Sequence, residues 1–156
     1  MVNRNLFILS IGQIFSFTSP VVSVLLGGII GSSMTNVNYL ATLPTALVIV
    51  GTAVGSLFAS KIMKIKGRKF GFSMSSIINS FFSLICAYAI FINSFILFCI
   101  ANLIIGLSIA FVQQYRFAAS ESVKKSNIPK AISLILLLGI VASLLGANIV
   151  SLTKNF

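Results

Sequence analysis

Five stretches of the chain are almost wholly apolar, running from about Asn5 to Ile30, Tyr39 to Ser60, Phe70 to Ile92, Phe95 to Arg116 and Ala131 to Leu152. None contains an acidic residue. Roughly 20 mostly apolar residues in a helix cross the hydrocarbon of a bilayer, so each stretch is long enough to span one. The pattern predicts an all-α, polytopic helix bundle of about five transmembrane helices, forming a single transmembrane domain over residues 1–156.

The breaks between the stretches differ in charge, and this difference predicts an orientation. Lys61, Lys64, Lys66, Arg68 and Lys69 fill the second break, and Arg116, Lys124, Lys125 and Lys130 crowd the fourth. The breaks around Ser32 to Asn38 and Ile92 to Ser94 carry no charge. Short loops rich in Lys and Arg stay in the cytoplasm. With Arg4 also inside, the chain is expected to start in the cytoplasm of a bacterium, cross the inner membrane five times and leave Lys154 on the far side. The net charge of +10 then faces anionic lipid headgroups, which makes the bilayer the expected partner and nucleic acid an unneeded one. The first apolar run is too long for a secretory signal, whose apolar region spans roughly 7 to 15 residues, so it reads as a retained helix.

Composition narrows the chemistry. Hydrophobic residues make up 58% of the chain and charged residues 8%, with a mean hydropathy of +1.11. There is no His, and Glu121 is the single acid. A metal site or a general acid and base pair therefore cannot be assembled, no cofactor is implied, and enzymatic activity is not expected. Cys86 and Cys99 sit inside helices with no companion ligands and read as core filler.

Small and polar residues recur at helical spacing within the apolar stretches, which places them on single faces. Gln13, Ser16, Pro20, Ser23, Gly27 and Gly31 form one such stripe, Gly51, Gly55 and Ala59 another, and Gly139, Ser143 and Gly146 a third. Ser76, Asn79, Ser80 and Ser83 cluster on the third helix. Small residues at these spacings let helix backbones approach closely, and packing accounts for most of them. Pro20 removes a backbone hydrogen bond, bending the first helix either toward a cavity or only for packing. The fourth stretch differs, because Asn102, Gly106, Ala110, Gln113 and Arg116 make a stripe that turns strongly polar at one end. Arg116 there either faces a water-filled cavity or snorkels to the interface. In a cavity it could hold an anionic group of a solute, with Gln113 adding neutral hydrogen bonds.

The segment Ser60-Lys61-Ile62-Met63-Lys64-Ile65-Lys66-Gly67-Arg68-Lys69 resembles the signature loop between helices 2 and 3 of the major facilitator superfamily. Gly67, Arg68 and Lys69 match its end, whereas Ser60 stands for its first Gly, Lys64 for its Asp and Ile65 for a basic residue. Residues 113–121 and the restart at Lys130-Ala131-Ile132-Ser133 also resemble bacterial permeases of that family. The family's frequent fourth-helix Arg falls on Asn102, and the fifth-helix Gly-Pro of its antiporter-type exporters falls on Gly146-Ala147. The resemblance implies the N-terminal half of a secondary transporter that moves a small solute by alternating access. It implies a cavity at Gln13, Asn102, Gln113 and Arg116, and a cytoplasmic gate at Gly67, Arg68, Lys69 and Glu121, whose latch is weaker or rewired for want of the loop acid. Such halves have six helices and work in pairs, so the chain is expected to be a fragment or to need a second transporter half. The alternative expectation is a non-transporting membrane assembly partner or a truncated relic.

Overall fold

The computed structural model describes residues 4–35 and 37–153, so Lys154 lies outside the described residues. Six helices follow one another: α1 (Arg4–Met34), α2 (Leu43–Lys66), α3 (Arg68–Phe91), α4 (Phe95–Val112), α5 (Tyr115–Glu121) and α6 (Ile128–Thr153). Short 3₁₀ turns precede α2 and α6, and no strand occurs among the described residues. With α4 and α5 taken as one span, five helices are long and apolar enough to cross a membrane.

Local chemistry explains where the helix ends depart from the apolar stretches. α1 continues four residues beyond Ile30, because Gly31 lies so close to the chain entering α2 that a Cβ would sit 2.1 Å from the Ala41 carbonyl oxygen. α2 starts at Leu43 with Pro44 in its first turn, where the fixed φ suits a helix and the missing N–H costs nothing. It then runs on through Lys66, well past the expected end at Ser60. Met63, one turn on from Ala59, anchors that otherwise mostly exposed extension against Ala110 and Phe111, and basic side chains are favourable at a helix C-terminus. The expected loop thus shrinks to Gly67, whose φ of 85° and ψ of 157° turn the chain directly into α3.

The fourth span is not the continuous helix expected to Arg116. It breaks after Val112: the Gln114 N–H bonds to Phe111 O at 3.0 Å, and the Phe117 and Ala118 N–H groups bond to Gln114 O to begin α5. No Pro or Gly marks the break. Tyr115 leaves the line of α4 to stack on Phe72, the ring centroids 4.2 Å apart and nearly parallel. α6 opens three residues earlier than expected, with Pro129 in its first turn.

α4 is the axis of the bundle, burying Phe98, Asn102, Ile105, Ile109 and Phe111 among others. It meets α2 along a glycine seam, where a Cβ on Gly51 would lie 2.2 Å from Leu103 O and one on Gly106 2.3 Å from Val48 O. Thr52 straddles that seam, its Oγ1 donating to Val48 O at 2.8 Å and lying 3.1 Å from Gly106 O. A second close seam joins α1 and α6, where a Cβ on Gly146 would stand 3.0 Å from the Val21 side chain. α3 is tied to both neighbours through Asn79, which donates to Ser19 Oγ at 3.1 Å and accepts from Ser108 Oγ at 3.2 Å. Ser76 and Ser80, in contrast, are exposed. Pro20 is buried within an α1 that runs unbroken past it. Large apolar side chains such as Phe15, Leu57 and Phe91 cover the outside, as a hydrocarbon surrounding permits.

Candidate functional site

Gln13, Gln113 and Arg116 line one cavity of about 320 Å³, bounded by α1, the α4–α5 junction and α6. Phe17, Ile135, Leu136 and Ile140 give it apolar walls, and Ser143 adds a hydroxyl. Gln13 is only 6% exposed, and its Oε1 has no hydrogen-bond partner. Facing it on α6 is Gly139, where a Cβ would stand 3.4 Å from Gln13 Nε2. The Ser143 hydroxyl is committed to Gly139 O at 2.9 Å. Arg116 lines the cavity and is exposed, its guanidinium carbon 5.0 Å from the Phe117 ring centroid.

Asn102 does not join this group. It shares the α4 stripe but lies eleven residues before Gln113, roughly 16 Å along a helix axis. At that height α4 is covered by α3, and Asn102 Nδ2 donates to Phe98 O at 2.8 Å, with Cys86 Sγ 3.7 Å away. Asn102 is 1% exposed and borders a separate cavity of about 380 Å³ between α1, α3 and α4. Helical periodicity placed Asn102, Gln113 and Arg116 on one stripe, and the differing cover along it separates Asn102 from the other two.

A second constellation forms where α2, α3 and α5 meet. Arg68 Nε donates to Glu121 Oε2 at 2.6 Å and Nη2 donates to Oε1, a bidentate ion pair across 53 residues of sequence. Arg68 is 28% and Glu121 63% exposed, so solvent screens the pair and its contribution to stability is about 1 kcal/mol or less. Its value is geometric, since two planar groups held by two bonds fix the start of α3 against the end of α5. Lys64, at the position of the family's loop acid, borders the same small cavity as Arg68, Gln114 and Glu121. Arg68 and Glu121 also line, with Lys69, a larger cavity of about 640 Å³ that borders the N-terminal turns of α1 and the Phe72–Tyr115 stack. That aromatic pair has no local sequence signal, because its members lie 43 positions apart.

The family model for sugar (and other) transporters matches residues 7–155. This chain belongs to that family, within the major facilitator superfamily. A riboflavin transporter of Brucella anthropi is 34% identical over 152 residues, covering 97% of this chain and 38% of the relative. Two uncharacterised MFS-type transporters of Bacillus subtilis are 28% and 26% identical over 153 residues each, covering 98% of this chain and 36% and 35% of theirs. The chain therefore spans well under half the length of the curated relatives it matches. No solved structure matches it. The family is one of membrane transporters, in agreement with the five apolar spans.

Proposed function

We propose that this chain is the N-terminal part of a secondary transporter that moves a small solute across a bacterial cytoplasmic membrane by alternating access, in company with a second transporter half. The observation that carries the reading is the cavity between α1, the α4–α5 junction and α6, lined by the buried Gln13 amide and by the exposed Gln113 and Arg116. An unpartnered polar group is costly in a lipid-embedded bundle unless a solute or water visits it. The Arg68–Glu121 pair serves as the latch of the cytoplasmic gate, with Gly67 and Lys69 beside it. The 34% identical relative makes riboflavin the first solute to try.

Uptake of radiolabelled riboflavin by a riboflavin-auxotrophic bacterium expressing the gene in full tests the reading. Arg116→Ala is expected to lower uptake about tenfold, the cost of one lost charge-assisted hydrogen bond, while Lys124→Ala leaves it unchanged. A scaffold or assembly partner would not distinguish the two substitutions.

Every Lys and Arg among the described residues lies at the end of the bundle where α1 begins and α2 meets α3, or on the nearby α5–α6 connection. This supports a cytoplasmic N-terminus. Alkaline phosphatase fused after Asn93 should be active in the periplasm, and the same enzyme fused after Lys125 should be inactive. The reverse pattern would invert the topology.

A further inference from the structure

The demand that Gln13 makes on its ligand is specific. Its Oε1 is buried without a partner, and the facing turn of α6 offers it no donor, since Gly139 brings no side chain and the Ser143 hydroxyl gives its proton to the Gly139 carbonyl. We infer that the cavity takes a planar heterocycle with a cis-lactam edge, an N–H beside a C=O in one ring, and that Gln13 is the residue that reads this edge. A primary amide carries one acceptor and one donor side by side, and a cis-lactam carries the same pair in the opposite order. The two close a pair of parallel hydrogen bonds, N–H to Oε1 and Nε2–H to the ring carbonyl. Turning the ring over presents the pair reversed, so the match holds whichever amide atom lies deeper.

The rest of the cavity favours a flat ring over a sugar. Its walls are Phe17, Ile135, Leu136 and Ile140, apolar surfaces suited to the faces of an aromatic system. A polyhydroxylated solute would bring many hydroxyls against a lining in which Gln13 is the buried polar side chain with an unpartnered atom among the described residues, and each unmatched hydroxyl would weigh against binding. A volume of about 320 Å³ falls at the lower end of small-molecule sites. Gln113 and Arg116 at the mouth supply donors for further ring carbonyls or a polar tail. The inference rests on the transport reading above and adds the class of solute.

Lumichrome, a fused tricycle with lactam edges, and 1,3-dimethyllumichrome, in which methyl groups replace both N–H donors, separate the possibilities. Each is titrated by fluorescence into the full gene product in lipid nanodiscs. Lumichrome is expected to bind at least about tenfold more tightly than the dimethyl compound, and Gln13→Ala to abolish the difference by weakening lumichrome alone. The comparison of ligands on the unaltered protein stands even if that variant does not fold. Equal affinities on the unaltered protein would overturn the role of Gln13. Binding of neither compound would overturn the lactam class as well, and riboflavin uptake by cells, measured separately, then decides whether the transport reading survives.

Discussion

Gly51→Leu is expected to prevent α2 from seating on α4 and to leave little folded protein. A Cβ at this position would lie 2.2 Å from the Leu103 carbonyl oxygen and 3.1 Å from the Gly106 Cα, so the obstruction is backbone and cannot rotate away. Between membrane helices close van der Waals approach is a main source of association, because lipid is as apolar as the side chains it would replace. Overpacking a core costs about 1–3 kcal/mol where neighbouring side chains can shift, and this seam, closed from the other side by Gly106 against Val48 O, leaves them no room. The Thr52 contact to Gly106 O would be lost with it. Thermal unfolding in detergent checks the expectation, with Gly28→Leu as the reference, since nothing lies within 4 Å of a Cβ there. Equal melting temperatures for the two variants would mean that α2 and α4 do not meet along this seam.

The second large effect belongs to Arg68. Arg68→Glu places two carboxylates where a bidentate pair now joins α3 to α5, and uptake by the full gene product is expected to fall at least about tenfold, corresponding to about 1.4 kcal/mol in the gating equilibrium. Folding should change little, because the groups are 28% and 63% exposed. The double variant Arg68→Glu with Glu121→Arg restores opposite charges and should recover part of the uptake. A double variant as inactive as the single one would show that the pair does not act as a latch. A large loss of thermal stability in Arg68→Glu would instead assign it to folding.

The helical class and the five spans were legible because lipid demands long apolar runs, and such runs survive inspection one residue at a time. The stripe Gly51, Gly55 and Ala59 was equally legible, since helical spacing alone puts these positions on one face, and the structure turns that face to α4. Gln113 and Arg116 are close in sequence and on one helical stripe, so their meeting at one cavity was within reach, and Gln13 joined them from another helix. Asn102 was misplaced because periodicity fixes a direction around a helix and says nothing of what covers it at a given height. The loop from Ser60 to Lys69 was misjudged for a different reason. Its lysines were counted as a break in hydrophobicity, yet Ala59 and Met63 carry the buried face of α2 straight through them. The break at Gln113 was hidden because it depends on Tyr115 finding Phe72, a contact with no local signal. The resemblance of the loop grouped Arg68 with Glu121 at one end of the bundle, and the structure joins the two side chains in a bidentate pair.

Gly67 separates two measures that usually travel together, accessibility and tolerance to replacement. It is exposed and a Cβ there would touch nothing within 4 Å. Its φ of 85° and ψ of 157° nonetheless fall in a region that is essentially glycine's alone. Two long helices reverse direction through this single residue, and Arg68 is the next one along. Any side chain would have to unwind an end of α2 or of α3 to relieve the strain, displacing the guanidinium that reaches Glu121. An exposed position where a Cβ would meet no other group is thereby held to one amino acid by the geometry of its own peptide bonds, and ranks with the buried seam among the least replaceable positions described.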